Sequence, residues 1–549
     1  MNRSFYYDRE TGGVCYCESD NPIKREPRPV YADELTRLGF DKFWEYDQQN
    51  DVPYMWHDLG RYYYRGEYVA CVRFNEETLN FDILEHRPDM ELEPIDLAGM
   101  VDKNYDVFET FRRETIEKLQ ETYDAHSKDF WYVAYSGGKD SQVLLNVVID
   151  ALYITPRKFE VYFNDTTMEF PQTYKAIDET KELLGRLGVP FHVAKNRMDA
   201  LETWRRFTPP SRKQRWCCSV HKSASNALAI KQRGIMRGVV MTGVRKVESI
   251  TRSTYEYYAD SKNVGWRDCR VILDWTAVDV WNEIYSRGLY VNELYKKGAA
   301  RVGCLLCPMS SSKADALAIA IAPDAVKPYI ERIARYAKIR YTPKKKTLDG
   351  WRARTSGALV EGVEQLVRDE KTDDEQVIKY AAPNQDLGEW LKTLGPVEKT
   401  LNGWRARTNG ALVEVKPVPV SDGLFQWEIR LPITHTKDNL RLRNKLLNLI
   451  RRSVYCINCG VCAANCTQGA ISYDSDVLTI DENKCVHCGK CTSAHNGQGG
   501  QCLRWHNLFV PNNREEIIER SIRKNYESDR QNKKDDSYPL LQRLREEVK

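Results

Sequence analysis

The spacing of the cysteines near the carboxyl end of the chain restricts its possible folds more than any other feature. One run has the pattern C-x2-C-x2-C-x3-C (residues 456 to 466), and a second run (485 to 491) has the pattern C-x2-C-x2-C. Three thiolates at two-residue intervals can be wrapped by one short loop around three irons of a [4Fe–4S] cube, with the fourth ligand supplied by the opposite run. The spacing therefore predicts two cubane clusters in this segment.

The same pattern resembles that of the two-cluster bacterial ferredoxins over residues 453 to 510. The sequence departs from it in two places, because Thr467 stands where proline is common and His495 stands where the second run would have its fourth cysteine. Zinc knuckles are the alternative interpretation, but a tripled repeat suits a cube better than a tetrahedral ion. His495 is an alternative ligand of the first cluster. The resemblance implies crossed ligation, with one cluster on Cys456, Cys459, Cys462 and Cys502 and the other on Cys485, Cys488, Cys491 and Cys466.

The composition describes a globular chain that is unusually rich in cysteine. The 549 residues include 16 cysteines, and 82 basic against 78 acidic side chains give a net charge of +4, too near neutral to indicate a nucleic-acid binder by itself. The longest uncharged apolar run, 316–323, is far shorter than the roughly 18 residues that span a bilayer, and the first ten residues lack an apolar signal core. We therefore expect a cytoplasmic protein without a membrane partner, whose clustered cysteines serve metals.

A glycine-rich turn is the second strong signal. The sequence WYVAYSGGKDSQVLLNVVID (131–150) predicts a strand over 131–135 and a helix over 142–149 on either side of the turn. Two glycines let the backbone approach a ligand, the following helix N-terminus favours an anion, and Lys139 adds a positive charge. The turn is similar to the SGGxDS loop of the ATP pyrophosphatases, the adenine nucleotide α-hydrolase-like enzymes. The resemblance implies that ATP, with Mg²⁺, binds at Ser136, Gly137, Gly138, Lys139, Asp140 and Ser141.

Strand-like and helical segments alternate after the turn. Strands are predicted over 159–165, 189–195 and 238–244, and a helix over 170–187. This alternation predicts an α/β fold with a doubly wound parallel sheet and a site at the carboxyl ends of the strands. Asp165 at such an end is a candidate ligand of ribose or of a metal ion, or else an exposed loop residue.

Three further segments carry a family resemblance. They read FNDTTMEFPQTY (163–174), GVRKVES (243–249) with Arg252, and VILDWTAVDVWNEIYSRGLYVNELYKKGAARVGCLLCP (271–308). Together they resemble the phosphoadenosine phosphosulfate reductase family over residues 125 to 312. The resemblance implies that Arg245 and Arg252 grip phosphate or sulfate and join Lys139 and Asp140 as catalytic residues, in keeping with the bidentate fork that guanidinium offers to oxyanions. Surface arginines are the alternative.

Four cysteines of this segment form a third group. Cys217 and Cys218 are adjacent, and Cys304 and Cys307 follow as a C-x2-C pair. This combination resembles the [4Fe–4S] site of assimilatory adenylylsulfate reductases, and related cysteines occur in the adenylating enzymes of bacterial DNA phosphorothioation. The resemblance implies a third cluster on these four thiolates. A persulfide-forming cysteine beside a structural zinc site is the alternative, and Cys269 is either a core thiol or a reactive thiolate between two arginines.

Two departures from the reductase pattern favour ATP chemistry. Sulfonucleotide reductases degrade the phosphate loop, whereas SGGKDS is intact here, and their carboxyl-terminal ECG-type motif is absent. The sequence therefore predicts an enzyme that adenylates a substrate with release of pyrophosphate and then transfers sulfur. The expected acceptor is nucleic acid, first a DNA backbone in an anti-phage modification system, with a cysteine desulfurase as sulfur donor and other subunits of that system as candidate partners. The alternatives are a sulfonucleotide reductase that uses its fused ferredoxin and a non-catalytic iron–sulfur subunit that binds DNA.

The chain is expected to divide into five segments. A link contains an internal repeat, in which 346–361 recurs as 399–414 with 14 of 16 positions identical. Its tryptophan and arginines are candidates for nucleic-acid contacts, and a duplicated hairpin that serves as scaffold is the alternative. The predicted segments are a degenerate ribbon or β-rich domain (1–100), the catalytic domain (101–343), the link (344–452), an α+β ferredoxin-like domain (453–510) and a charged tail (511–549).

Overall fold

A computed structural model of the chain describes residues 3–19, 25–75, 78–153, 157–261, 265–340, 351–352, 366–371, 375–401, 403–408, 411–417, 425–432, 437–474, 476–489, 491 and 502–507. The chain folds as two compact units. The first contains Met1–Ala194 and Arg237–Val326, and the second contains Lys195–Met236 and Lys327–Arg545.

The strands of both units are short. They are β1 (Arg3–Tyr7), β2 (Val14–Glu18), β3 (Arg28–Val30), β4 (Trp44–Glu45), β5 (Met55–Asp58), β6 (Arg61–Tyr64), β7 (Glu67–Phe74), β8 (Phe81–His86), β9 (Met90–Glu91), β10 (Trp131–Tyr135), β11 (Glu160–Asp165), β12 (Phe191–Lys195), β13 (Gly238–Met241), β14 (Tyr258–Asp260), β15 (Trp266–Cys269), β16 (Val367–Lys371), β17 (Glu375–Ala381), β18 (Val397–Thr400), β19 (Gly403–Thr408), β20 (Ala411–Pro417), β21 (Phe425–Pro432), β22 (Ile471–Asp474) and β23 (Val477–Ile480).

The helices range from single turns to the long α2. They are α1 (Ala32–Leu38), α2 (Leu97–Ala125), α3 (Lys139–Val148), α4 (Pro171–Leu187), α5 (Ala200–Phe207), α6 (Ser225–Lys231), α7 (Ile250–Ser253), α8 (Ala277–Ser286), α9 (Glu293–Lys296), α10 (Ser312–Ile321), α11 (Pro323–Arg340), α12 (Leu387–Leu391), α13 (Lys437–Tyr455), α14 (Val461–Asn465) and α15 (Leu503–Asn507). A π-helical turn, Cys218–Ala224, leads directly into α6. Within the described residues, no helix combines the length and the apolar composition that a membrane-spanning segment needs.

The sheet that carries the glycine-rich turn lies in the first unit, with strand order β12-β11-β10-β13-β15-β14. The central strand β10 pairs in parallel with β11 and β13, β13 pairs in parallel with β15, and β14 is antiparallel. A parallel strand covered on both faces needs a nearly continuous apolar sequence, and four of the five side chains of β10, WYVAY, are buried. The predicted α/β fold is confirmed. The carboxyl ends of β10, β11 and β13 meet at one edge, where the turn lies.

The amino-terminal part of the first unit is rich in strands, as expected. An antiparallel sheet in the order β3-β5-β6-β7-β8 packs against α1, and β1 and β2 form a separate hairpin. The loop between β2 and β3 carries Glu26, which contacts the candidate site. This part of the chain therefore contributes to the site as well as to the scaffold.

The second unit contains a sheet that the sequence analysis did not anticipate. Six antiparallel strands in the order β16-β17-β21-β20-β19-β18 fill much of the segment that was expected to be a link. Helix α13 covers this sheet because its apolar residues, among them Leu446, Ile450 and Val454, recur at helical spacing. The ferredoxin-like hairpin of β22 and β23 contributes Leu478 and Ile480 to the same core.

Candidate active site

The glycine-rich turn is held in a tight conformation between β10 and α3. Gly137 has φ +73°, a backbone conformation that favours glycine. The Ser141 hydroxyl donates to the carbonyl of Gly138 at 2.8 Å and lies 3.1 Å from the Ser136 hydroxyl. The Lys139 N–H donates to the Tyr295 hydroxyl at 3.0 Å. Helix α3 therefore begins at the turn, and its N-terminal end is suited to anions.

Two buried cations, Lys139 and Arg245, pair with carboxylates at this turn. Nζ of Lys139 is 2.7 Å from Oδ2 of Asp140, and Nε of Arg245 is 2.7 Å from Oδ1 of the same carboxylate. The terminal nitrogens of Arg245 donate to both carboxylate oxygens of Glu26, at 2.9 and 2.6 Å. Lys139 and Arg245 are buried, whereas the Glu26 side chain is 38% exposed. The bidentate pair with Glu26 is thus the outermost link of the group.

The charges of this group stabilise one another. Burial acts to raise the pKa of Asp140, but the facing Lys139 and Arg245 outweigh it and lower that pKa to about 2. Burial acts to lower the pKa of Arg245, yet Asp140 and Glu26 raise it above its ordinary value. Burial lowers the pKa of Lys139, with Asp140 opposing. Asp140 and Arg245 are therefore charged at neutral pH.

Arg252 joins the same group through Glu248. The Arg252 guanidinium pairs with the Glu248 carboxylate, which also accepts the backbone N–H of Arg245 at 3.1 Å. The absence of a side chain at Gly243 lets its backbone lie close to that of Asp140, because a Cβ at position 243 would be 2.6 Å from the carbonyl oxygen of Asp140. The structure thus brings the four predicted catalytic residues, Lys139, Asp140, Arg245 and Arg252, into one connected set of charges.

Asp165 lies at the carboxyl end of β11 and is buried rather than exposed. Its Oδ1 accepts the Thr167 N–H at 2.7 Å and the Tyr174 hydroxyl at 2.8 Å. The next residue, Thr166, has its hydroxyl 3.6 Å from the Sγ of Cys304, which also lies 3.8 Å from the Glu169 carboxylate. Asp165 and Cys304 therefore occupy the same edge of the sheet as the turn.

Two buried polar atoms at this edge were missed by sequence reasoning. Among the residues that the structure describes, Oδ1 of Asn164 and Oγ1 of Thr242 find no hydrogen-bond partner. They stand at the ends of β11 and β13, the two neighbours of β10. Unsatisfied buried acceptors and donors are costly, so they fit a site that a polar ligand completes. An orphaned polar pair beside a charged loop fits a nucleotide, although nothing in the local sequence distinguishes these two residues in advance.

The four cysteines of the expected catalytic-domain cluster are divided between the units. Cys304 and Cys307 belong to the first unit, and Cys217 and Cys218 belong to the second, at the start of the π-helical turn before α6. All four side chains are half-buried. A cluster on these four thiolates stays a prediction.

The eight distal cysteines line two cavities of the second unit. The first cavity collects Cys456, Cys459, Cys462 and Cys502, and the second collects Cys466, Cys485 and Cys488, with Cys491 at the border of both. Five thiols line the first cavity and four line the second, with Cys491 shared, which fits two [4Fe–4S] groups. Assigning Cys491 to the second cavity gives the sets of crossed ligation. Within the described ranges, no three His, Cys, Asp or Glu side chains converge on a single metal-ion position. Zinc knuckles stay the alternative interpretation. His495 lies outside the described residues.

Two of the four remaining cysteines are buried thiols with a raised pKa. Cys269 is fully buried at the end of β15, and burial raises the pKa of its thiol to about 12. Burial likewise raises the pKa of Cys15 to about 11. Cys17 and Cys71 are half-buried in the amino-terminal strands. Cys269 is therefore a core thiol, and the reactive alternative is wrong for it.

The repeated segment gives little support to a nucleic-acid interface. In the first copy only Trp351 and Arg352 lie within the described residues, and both are buried, with Trp351 packed near Trp204. In the second copy the strands β19 and β20 form a hairpin, where Arg405 pairs with Glu414. A buried Arg352 cannot reach phosphates, which favours the scaffold interpretation for this residue.

Two protein families match the chain. The phosphoadenosine phosphosulfate reductase domain matches residues 130–310, and the 4Fe-4S dicluster domain matches residues 455–494. The first match contains the loop and the charged group except Glu26, and the second contains seven of the eight distal cysteines.

Several known proteins are similar to parts of the chain. An uncharacterised protein of Methanocaldococcus jannaschii is 31% identical over 252 residues, which are 44% of this chain and 57% of that protein, so the chain spans less than two thirds of its length. The adenosine 5'-phosphosulfate reductase of Geobacillus kaustophilus is 30% identical over 171 residues, 29% of this chain and 67% of the reductase. The phosphate complex of the phosphoadenylyl-sulfate reductase of Candida auris aligns with 17% identity and a TM-score of 0.28, over 37% of this chain and 95% of that one.

Proposed function

The chain belongs to the phosphoadenosine phosphosulfate reductase family, and we propose that it is an iron–sulfur enzyme that adenylates a substrate with ATP and then supports transfer of sulfur to it. The observation that carries the proposal is the group of Lys139, Asp140 and Arg245 at an intact SGGKDS turn. Two buried cations beside a helix N-terminus suit the triphosphate of ATP.

The loop residues have separate tasks in this proposal. The N–H groups at the start of α3 bind phosphate oxygens, and Lys139 neutralises the charge that develops as the α-phosphate is attacked. Arg245 exchanges its carboxylate partners for phosphate oxygens, which its fork binds bidentately. Asp140 and Asp165 are the candidate Mg²⁺ ligands, since hard oxygen donors suit that ion. In the first step a substrate oxygen bonds to the α-phosphorus, and pyrophosphate leaves with the electrons of the broken P–O bond.

Sulfur transfer is the second step. The terminal sulfur of a persulfide, delivered by a donor such as a cysteine desulfurase, bonds to the adenylated atom, and AMP leaves. Two electrons from an external reductant then break the remaining S–S bond and release the carrier thiol. Bound clusters would supply one-electron transfer and a place to hold sulfur. The position of Cys304 at the same edge as Asp165 supports sulfur chemistry next to the nucleotide.

The acceptor is proposed to be nucleic acid, with a DNA backbone first and tRNA second. This assignment is supported by the resemblance of the cysteine pattern to that of DNA phosphorothioation enzymes, and it implies a role in anti-phage defence with other modification subunits. The buried Arg352 contributes nothing to it, so the contact surface is expected elsewhere.

A second candidate function is reduction of a sulfonucleotide by electrons from the fused ferredoxin part. It is favoured by the relatives that are named adenosine 5'-phosphosulfate reductases. It needs a cysteine that attacks the sulfate sulfur, and the four cysteines outside the expected ligand sets include two buried thiols of raised pKa. The lack of such a cysteine among these two thiols and the charged group at the turn both favour ATP over a sulfonucleotide.

The test separates the two candidates by product. Anaerobically purified protein is incubated with ATP and Mg²⁺ or with adenylyl sulfate and reductant, and pyrophosphate and sulfite are measured. Pyrophosphate release that is lost in Arg245→Gln, but kept in Arg287→Gln, supports adenylation, because Arg287 pairs with Glu109 instead. Sulfite without pyrophosphate supports the reductase. Tight DNA binding with neither product would indicate the non-catalytic subunit.

Transfer of sulfur to DNA or tRNA is measured in a separate assay. ATP, reductant, a cysteine desulfurase with cysteine, and DNA or tRNA are added together. Nuclease digestion and mass spectrometry then report phosphorothioate dinucleotides or thiolated bases. Pyrophosphate release without either product would retain adenylation and reject nucleic acid as acceptor.

A further inference from the structure

The first cavity of the ferredoxin-like part contains a buried cation in contact with a thiol. Arg452 is 4% exposed, and its terminal nitrogen lies 2.8 Å from the Sγ of Cys462. Helix α13 positions it, with the guanidinium also 5.6 Å from the ring of Trp390. Arg504 lines the same cavity and donates to the carbonyl of Tyr455 at 3.1 Å. Two guanidinium groups therefore face the position of the first cluster.

The second cavity has a different lining. Its described wall consists of Thr393, Gln468, Ala470, Ile471, Ile480, Val486, His487 and Gly489 in addition to the cysteines, with neither lysine nor arginine among them. Lys231 lies behind this wall and donates to the backbone carbonyl of Cys466 at 2.8 Å, not to its thiol. The reduction potential of a cluster depends on nearby charge, on hydrogen bonds to sulfur and on solvent exposure. Reduction adds negative charge, so a buried cation stabilises the reduced form, and this stabilisation is largest where the local dielectric constant is low.

The two cavities also differ in their surroundings. Cys488 of the second cavity is exposed and Val486 beside it is 60% exposed, whereas Cys502 of the first is buried. On the first side, Asn196 Nδ2 donates to the carbonyl of Cys459 at 3.2 Å and to that of Val220 at 3.4 Å. Val220 belongs to the π-helical turn that begins at Cys218. The first cavity is therefore linked to the Cys217–Cys218 segment, and the second carries an exposed thiol, Cys488.

We propose that Arg452 gives the first cluster the higher reduction potential of the two, so that electrons enter at the exposed second cluster and leave from the first towards Cys217 and Cys218. Exposure of Cys488 acts in the opposite direction, but water at one ligand is a weaker influence than a full charge in contact with a buried one. Each transfer moves one electron: the second cluster changes from 1+ to 2+ and the first from 2+ to 1+, and an external one-electron donor restores the second. The inference rests on the proposed binding of clusters.

The order of potentials is tested on the full chain by redox titration followed by EPR. Cys488→Ala removes a ligand of the second cluster only, and we expect it to abolish the signal of lower potential. Cys462→Ala should abolish the signal of higher potential. Loss of the opposite signals would overturn the inference. Iron and sulfide analysis comes first, because a wild-type chain without clusters would refute the proposed function rather than the order.

The role of Arg452 is tested by Arg452→Met with dithionite as reductant. At a fixed potential we expect at least a tenfold fall in the reduced-to-oxidised ratio of the higher-potential signal, which is 59 mV for one electron. Arg452→Lys, which retains the charge, should restore most of it. Arg451→Met is the matched control, because that guanidinium lies over the Trp505 ring and not against a thiol. Equal shifts in Arg452→Met and the control would sink the assignment, and if Arg452→Met fails to assemble clusters, the cysteine variants still decide the order.

Discussion

On the proposed function, Glu26 competes with ATP for Arg245, and its removal should tighten ATP binding. Both oxygens of its carboxylate accept hydrogen bonds from the two terminal nitrogens of Arg245, at 2.9 and 2.6 Å. A phosphate that binds to Arg245 in the same bidentate way must displace Glu26. In Glu26→Gln the negative charge is lost and one oxygen acceptor remains, so a phosphate displaces this side chain from Arg245 more easily.

The magnitude follows from the geometry of the pair. Hydrogen bonds to charged groups contribute about 1.5 to 3 kcal/mol, but Glu26 is 38% exposed, so screening by water reduces the gain. We expect about 1.4 kcal/mol, a tenfold lower Kd for ATP. Isothermal titration calorimetry at low ionic strength, with and without Mg²⁺, measures it.

Two controls separate competition from general effects of charge. Glu93→Gln removes a carboxylate of the same unit that pairs with Arg65, and it should leave the Kd unchanged. In an Arg245→Gln background the benefit of Glu26→Gln should disappear, as a double-mutant cycle would report. An unchanged or higher Kd in Glu26→Gln would refute the reasoning, because Arg245 would then not bind the phosphates or Glu26 would itself serve the ligand.

Three further outcomes are expected. Gly243→Ala places a methyl 2.6 Å from the Asp140 carbonyl oxygen and should abolish ATP binding in calorimetry. The control Gly185→Ala, whose new methyl meets nothing within 4 Å on a helix, should keep ATP binding and add about 0.5–1 kcal/mol of stability. Equal ATP binding by both variants would contradict the role of the close contact. Burial, with Arg28 and then Arg37 nearby, lowers the pKa of Lys313 to about 8, so its charge costs stability below pH 8 and this cost fades as the pH rises towards the unfolded value of 10.5. Lys313→Met should therefore be more stable than wild type by up to about 3 kcal/mol at pH 7 in urea denaturation, with the two converging near pH 10, and parallel curves would contradict the assignment. Anaerobic protein should contain about twelve iron and twelve acid-labile sulfide atoms per chain, four of each per cluster, and zinc without sulfide would exclude all three clusters.

Local features of the site could be predicted from the sequence because they depend on neighbouring residues. The strand over 131–135 agrees with β10, since five consecutive aromatic or apolar residues suit a covered parallel strand. The helix predicted over 170–187 is α4, which begins at Pro171 and ends before a left-handed Gly188. The two triplets of distal cysteines at two-residue spacing likewise each line one cavity, whereas the places of Cys466 and Cys502 were implied by the resemblance to crossed ligation.

Contacts between distant parts of the chain could not be predicted. Glu26 and Arg245 are 219 residues apart, and no periodicity connects a loop glutamate to a particular arginine. The sheet of β16 to β21 was missed because its strands carry many charged residues, as the sequence VRDEK of β16 illustrates, and one exposed face hides the alternation. Arg452 stands in a helix with several other arginines, and only the folded contact with Cys462 distinguishes it.

The anchoring of the ferredoxin-like part by Lys231 has a consequence for biosynthesis. The Lys231 ammonium donates to the carbonyls of Ala463 at 3.3 Å and Cys466 at 2.8 Å, 235 residues further along the chain in the case of Cys466. At about 5 to 20 residues per second, the ribosome delivers those carbonyls roughly 10 to 50 s after Lys231. During that interval the segment 195–236 lacks the ferredoxin-like part on which it packs. A chain cut before residue 453 would lack that part permanently. The ferredoxin-like part is thus not an independent module, and a chimera that exchanges it needs the matching 195–236 segment as well.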